Sequence, residues 1–193
     1  MNECDSATES SIIPPTQPRI LTLTSEASVV SADPESQPEN LTVHSNSDDN
    51  SSDDLDGKDS ETAYHKLKYI RNKNTEKIII SHLNINFIQN KFEGIKHLIH
   101  NNIDIFVIAE TKINQSFPSN QFAIPGFSIP YREDRDKYGG GLLIYIREGL
   151  ACKRLDTPTL PHNVEAIFLE ITMKKEKWLL MGGYNPQKEN ISY

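Results

Sequence analysis

One stretch constrains the fold of this chain more than any other: Ile103-Asp104-Ile105-Phe106-Val107-Ile108-Ala109. Six of its seven residues are apolar, and β-branched or aromatic side chains dominate. That pattern belongs to a strand buried on both faces, as in a sheet covered by other layers. The stretch ends on a carboxylate, Glu110. In open α/β folds, ligands sit just outside the carboxyl ends of buried strands. Glu110 is therefore a candidate for holding a metal or orienting a substrate. The plainer alternative is a strand leaving the core and meeting water.

A second apolar strand, Ile78-Ile79-Ile80, runs upstream into Ser81-His82-Leu83-Asn84-Ile85-Asn86. Between the two strands, residues 90–100 carry Phe92, Ile95, Leu98 and Ile99 at spacings of i, i+3, i+6 and i+7, which predicts an amphipathic helix. Asn90 is its expected N-cap. Strand, polar loop, helix and strand form a crossover unit, and a right-handed crossover brings both carboxyl ends to one sheet edge. Asn84, Asn86 and Glu110 are thus expected together.

The chain divides sharply in composition. Residues 1–63 contain no Phe, Tyr or Trp and hold fourteen Asp and Glu against Arg19 and Lys58, a balance of −12. From Tyr64 onward the balance is +5, a split that the overall charge of −7 conceals. Residues 45–60 are mostly Asp and Ser, too polar to offset the entropy of ordering, so 1–63 reads as a disordered acidic extension. Residues 64–76 read as a basic linker and 77–193 as the folded domain. No secretory signal or membrane-length apolar run is present, which makes an intracellular, non-membrane chain the default. Cys4 and Cys152 imply no disulfide, and His97 with His100 lacks the further ligands of a zinc site.

At this point the motifs resemble a known family. Ile80-Ser81-His82-Leu83-Asn84-Ile85-Asn86 and Ile108-Ala109-Glu110-Thr111-Lys112 are similar to the first two motifs of the endonuclease/exonuclease/phosphatase superfamily. The block from Tyr131-Arg132-Glu133-Asp134-Arg135 through Gly139-Gly140-Gly141 to Ile144-Tyr145-Ile146-Arg147 resembles endonucleases encoded by non-LTR (LINE-type) retrotransposons. Val164-Glu165-Ala166-Ile167-Phe168-Leu169-Glu170 resembles their next strand, and Gly182-Gly183-Tyr184-Asn185-Pro186 their next turn. The likeness covers roughly residues 77–193, with the motifs in family order.

The resemblance implies a Mg²⁺ (or Mn²⁺) dependent endonuclease that nicks DNA by phosphodiester hydrolysis, with no small-molecule cofactor, and a nuclear location if it is functional. It implies Glu110 as metal ligand and Asn84 as a catalytic support of the metal and phosphate. It places Asn86 beside the metal, and the hydroxyl of Tyr184 on the phosphate. One carboxylate in an oxygen-only set suits Mg²⁺, which keeps several waters. Arg132 and Arg135 are candidates for DNA phosphates, since guanidinium forks match phosphate oxygens; a local charge network with Glu133, Asp134 and Asp136 is the alternative. Gly139-Gly140-Gly141 precedes a strand rather than a helix, so it reads as a tight, close-packed turn and not as a phosphate loop.

The family's later motifs, which carry the water-activating base, have no counterpart in the sequence. The expected fold is α/β: a partial four-layer α/β sandwich, its first half only, with strands near 77–81, 103–109, 127–132, 141–147, 164–171 and 176–183. These are expected in one sheet whose inner face awaits a second. The functional expectation is a truncated endonuclease, inactive alone. The alternatives are a non-catalytic nucleic-acid- or partner-binding remnant, or a piece of another superfamily phosphatase.

Overall fold

The computed structural model describes residues 19–22, 27–30, 39–41, 57–135, 139–161 and 164–185, with side chains from residue 61. The elements in chain order are β1 (Arg19–Thr22), β2 (Ala27–Val30), β3 (Glu39–Leu41), α1 (Gly57–Lys73), β4 (Ile78–Asn84) and α2 (Phe92–Ile99). They continue with β5 (Ile105–Ala109), β6 (Tyr131–Glu133), β7 (Leu142–Ile146), β8 (Ala151–Arg154), β9 (Glu165–Met173) and β10 (Glu176–Tyr184).

The crossover unit forms as its apolar pattern dictates. β4 and β5 pair in parallel, from Ile80 opposite Ile105 to Asn84 opposite Ala109. α2 connects them and buries Phe92, Ile95 and Ile99. The helix begins one residue later than expected, and Asn90 does not cap it. Asn90 lies in a 3-10 turn, Gln89–Lys91, and the N-cap is Lys91 with no side-chain cap bond. The start is fixed instead by Lys91, whose Nζ donates to the carbonyl of Ile85 at 2.8 Å, and by fully buried Ile88.

The expectation of one sheet with an open inner face is corrected: there are two sheets, packed against each other. The larger has the order β3-β2-β4-β5-β7-β6 and the smaller β1-β10-β9-β8. β9 and β10 form a hairpin in the smaller sheet, turning at Lys174 and Lys175, both at positive φ as a two-residue hairpin turn requires. Alternation supplies two cores. One side of the larger sheet, including Ile79, Phe106, Ile108 and Tyr145, packs on α1 and α2. Its other side, including Ile80, Val107, Leu142 and Ile144, meets Ile167, Leu169, Ile171, Trp178 and Leu180 of the smaller sheet. β5 and β7 are buried along their whole lengths because they lie between layers on both faces. The described architecture is therefore three layers: helices, a six-stranded sheet and a four-stranded sheet.

Other boundaries shift for identifiable reasons. The strand expected over 127–132 is only β6, preceded by a single bridge between Phe127 and Arg147. Residues 64–76, read as a linker, are mostly α1, whose Leu67 and Ile70 bury one turn apart amid exposed charge. His97 stacks on Tyr64 of α1, with ring centroids 4.8 Å apart, which gives it a packing role. Of the 1–63 extension most lies outside the described residues. The described pieces are β1–β3 and the start of α1; β1 pairs with the edge of β10 and β2 with the edge of β4.

The lone charge in the buried stretch has a clear account. Asp104 accepts from Arg147 Nε at 2.9 Å, from the Ile79 backbone N–H at 2.8 Å, and from the Arg71 guanidinium. It thereby ties α1, β4, β5 and β7 together at the end of the sheet away from Glu110. Its side chain is 9% exposed. Removing it strands two partly buried guanidinium groups and an unpaired amide. Asp104→Ala is expected to cost about 3 kcal/mol of stability, measured as a lower midpoint in urea unfolding; a change inside the error of the midpoint would show that the network is solvated and unimportant.

Candidate functional site

The parallel register of β4 and β5 continues past the last sheet residues. Ile85 N–H donates to the Ala109 carbonyl at 3.0 Å, Phe87 N–H to that of Glu110 at 2.9 Å, and Ile88 N–H to that of Thr111 at 3.2 Å. Two loops leaving adjacent strand ends are thus laced together. In doing so, Asn86, Phe87, Glu110 and Lys112 all adopt positive φ, between 45° and 85°. Such conformations cost of order 1 kcal/mol each for side chains other than Gly and Asn, and they cluster where geometry matters for function.

Glu110 is the centre of the site. Its Oε1 accepts from Asn84 Nδ2 at 2.6 Å and from the Tyr184 hydroxyl at 2.7 Å. Among the described residues its Oε2 has no hydrogen-bond partner. Three segments far apart in sequence converge here, Asn84 and Glu110 from the larger sheet and Tyr184 from the smaller one rather than from the same sheet edge. Tyr184 reaches Glu110 because β10 approaches closely at inward-facing Gly182, where an added Cβ would lie 2.7 Å from Ile144 Cδ1. Burial, then the hydrogen bond to Glu110 and the charges of Glu110 and Glu165, push the Tyr184 pKa up to about 12, with Arg135 opposing. The hydroxyl is a donor at neutral pH, not a base. His82, two residues before Asn84, has its pKa lowered by burial and adds no charge near pH 7.

Asn86 stands beside this group, but its Oδ1 accepts from Lys112 Nζ. The oxygen assigned beside the metal is thus occupied by an ammonium. Arg132 forms the local network given as its alternative. Its fork bonds the Phe117 carbonyl at 2.7 Å, the Asn114 carbonyl at 3.1 Å and Asp134 at 2.6 Å, and its side chain is 12% exposed. It pins a loop within the protein. Arg135 is more open and bonds Glu165 at 3.2 Å, close enough to Tyr184 to influence its titration. The glycine run is the close-packed turn expected: the Gly141 and Gly140 carbonyls accept from Thr111 and Lys112 N–H at 3.3 and 3.0 Å.

Two residues of the site went unassigned in the sequence, Lys112 and Glu165. Glu165 had a readable signal: strand alternation gives it the inward parity of Ile167, Leu169 and Ile171, an unusual place for a carboxylate. Lys112 had none beyond its nearness to Glu110, since its position depends on the left-handed turn.

Among the described residues no cluster of three or more His, Cys, Asp or Glu could hold a metal, and no helix is long and apolar enough to cross a membrane. A single carboxylate with amide and hydroxyl oxygens remains a donor set that fits a hard, partly hydrated cation and not zinc. No protein-family model matches the chain, and no curated protein matches it.

The Tyr184 titration tests the geometry directly. Its pKa is raised, so the folded state keeps a proton that the unfolded chain releases near pH 10, and the associated stability is lost as pH climbs from 10 through 12. Glu110→Gln removes one raising charge but leaves burial, the largest cause. The Tyr184 midpoint is expected to fall below 12 yet stay above 10, read from the ¹³Cζ shift of labelled tyrosine. An unmoved midpoint would mean that the two side chains do not meet.

Proposed function

We propose that this chain carries the metal- and phosphate-binding side of a Mg²⁺-dependent phosphodiesterase site acting on DNA, of the kind found in non-LTR retrotransposon endonucleases. The observation that carries the reading is the meeting of Asn84 and Tyr184 on one oxygen of Glu110. The motif likeness points to the same three residues. Two packed sheets with helices on one outer side also agree with the first half of a four-layer sandwich.

In this reading Glu110 would hold Mg²⁺ (or Mn²⁺), with the Asn84 amide as its support. The ion would supply positive charge for the phosphoryl oxygens. Tyr184, protonated to about pH 12, would reach a phosphoryl oxygen by turning its single O–H away from Glu110 as substrate arrives. Lys112 and Arg135 add positive charge on two sides, the second in place of the pair Arg132 and Arg135. The groups bonded to Glu110 include no general base, and proton transfer by a positioned base contributes roughly 10²–10⁴-fold to such reactions. The described site binds and orients, and hydrolysis needs a base from elsewhere.

Two measurements test this. Calorimetry is expected to show weak Mg²⁺ binding that Glu110→Gln removes. In plasmid relaxation with Mg²⁺, the 193-residue chain is expected to leave supercoiled DNA intact. Fusion to the C-terminal half of a family endonuclease is expected to restore nicking, and Glu110→Gln to abolish most of it. Equal nicking by the fused protein with and without Glu110→Gln would overturn the role of Glu110. DNA retention that weakens with salt but ignores Mg²⁺ and Glu110→Gln would favour a non-catalytic binding role instead.

A further inference from the structure

We propose that Glu165 is the positioning residue of this site, holding the Glu110–Lys112 turn of the larger sheet from its anchor on the smaller one. The inference takes its functional meaning from the phosphodiesterase reading, but the contacts on which it rests do not depend on that reading.

Glu165 opens β9 and pairs with Tyr184 across the hairpin, so both stand on the inward face at the same end of the smaller sheet. Its side chain is 12% exposed, and both oxygens are engaged across the gap between the sheets. Oε2 accepts the Gly141 backbone N–H at 2.6 Å, and Oε1 accepts from Arg135 at 3.2 Å. A carboxylate on a backbone amide is a charge-assisted bond, stronger than a neutral one. The glycines make the approach possible. A Cβ on Gly140 would overlap Glu165 Oε1, and a Cβ on Gly141 would overlap Thr111 Oγ1; both residues sit at φ of 75° and 87°.

From Gly141 the restraint passes on through two hydrogen bonds. The Gly140 and Gly141 carbonyls hold the amides of Lys112 and Thr111, the two residues that follow Glu110. Glu110 and Lys112 are both at positive φ, a conformation that relaxes unless its surroundings fix it. The contact with Arg135 alone would be a weak surface pair, since Arg135 is 38% exposed. What distinguishes Glu165 is that one side chain fixes the glycine loop, and with it the turn, while also holding Arg135, whose charge acts on Tyr184.

The test compares Glu165→Ala, which loses both contacts, with Glu165→Gln, which keeps an acceptor for Gly141 but loses the charge. Amide exchange at Thr111 and Lys112 is expected to quicken roughly tenfold in Glu165→Ala and less in Glu165→Gln. Exchange within β5 and β7 should be unchanged. Mg²⁺ affinity should weaken in the same order, although Glu165 is no ligand, and Arg135→Ala should leave Thr111 and Lys112 exchange as in the unaltered chain. If Glu165→Ala fails to fold, Glu165→Gln alone decides on the same exchange. Thr111 and Lys112 exchange unchanged in the folded variants, or quickened only together with β5 and β7, overturns the inference. If the unaltered chain binds no Mg²⁺, the metal reading fails, and the exchange measurement still decides the role of Glu165.

Discussion

The parallel pairing of β4 with β5 is the contact on which the site depends. It is a non-local pairing, reached through α2, and it holds because both strands are buried between layers and their backbone groups have no water to turn to. The register places Asn84 opposite Ala109, and one further step of hydrogen bonding places it beside Glu110. A slip of one residue would turn Ile79 and Ile80 to each other's faces, losing both cores at once. The hydrophobic layers therefore fix the position of polar groups they never touch.

The second sheet contributes in a different way. β10 brings Tyr184 to Glu110 from across the inter-sheet core, and that approach is set by side-chain size. At Gly182 the sheets pack too closely for a Cβ, against Ile144 and Val107. Two residues further on, the strand delivers a hydroxyl. Glu165, opposite Tyr184, returns a carboxylate to the larger sheet at Gly141. The two sheets thus exchange polar contacts in both directions at one end of the sandwich, where their apolar side chains have run out.

Much of this was legible in the sequence, because it rests on local pattern. The buried strand, the amphipathic helix and the strand ends at Asn84 and Glu110 follow from runs of apolar residues and their spacing. What was not legible depends on partners. Period-two alternation identifies β9 and β10 as strands but does not say which sheet they join, so the second sheet was missed. Among its described residues α1 buries two apolar side chains, Leu67 and Ile70, too few to stand out from its charge; Arg71 bonded to Asp104 completes its anchoring. Arg132 and Arg135 are three residues apart and look alike in sequence. The carbonyls of Asn114 and Phe117 capture one and leave the other at the site. The positive φ values around Glu110 have no glycine to announce them.

The two carboxylates that bracket β5 show why one end of this strand is structural and the other is a candidate site. Asp104, just before the strand, has a guanidinium on each oxygen and a backbone amide as well. Its charge is answered, and a further ligand would have to displace an arginine. Glu110, just after the strand, has two neutral donors on one oxygen and, among the described residues, none on the other. Two neutral hydrogen bonds orient a carboxylate without neutralising it. The nearby cations, Lys112 and Arg135, are turned to other acceptors, Asn86 and Glu165. Glu110 and Lys112 both sit at positive φ, and Lys112 bonds Asn86. A carboxylate oriented on one side and, among the described residues, unpaired on the other is an arrangement that a mobile cation would stabilise, and this asymmetry is the physical ground for the metal proposed at Glu110.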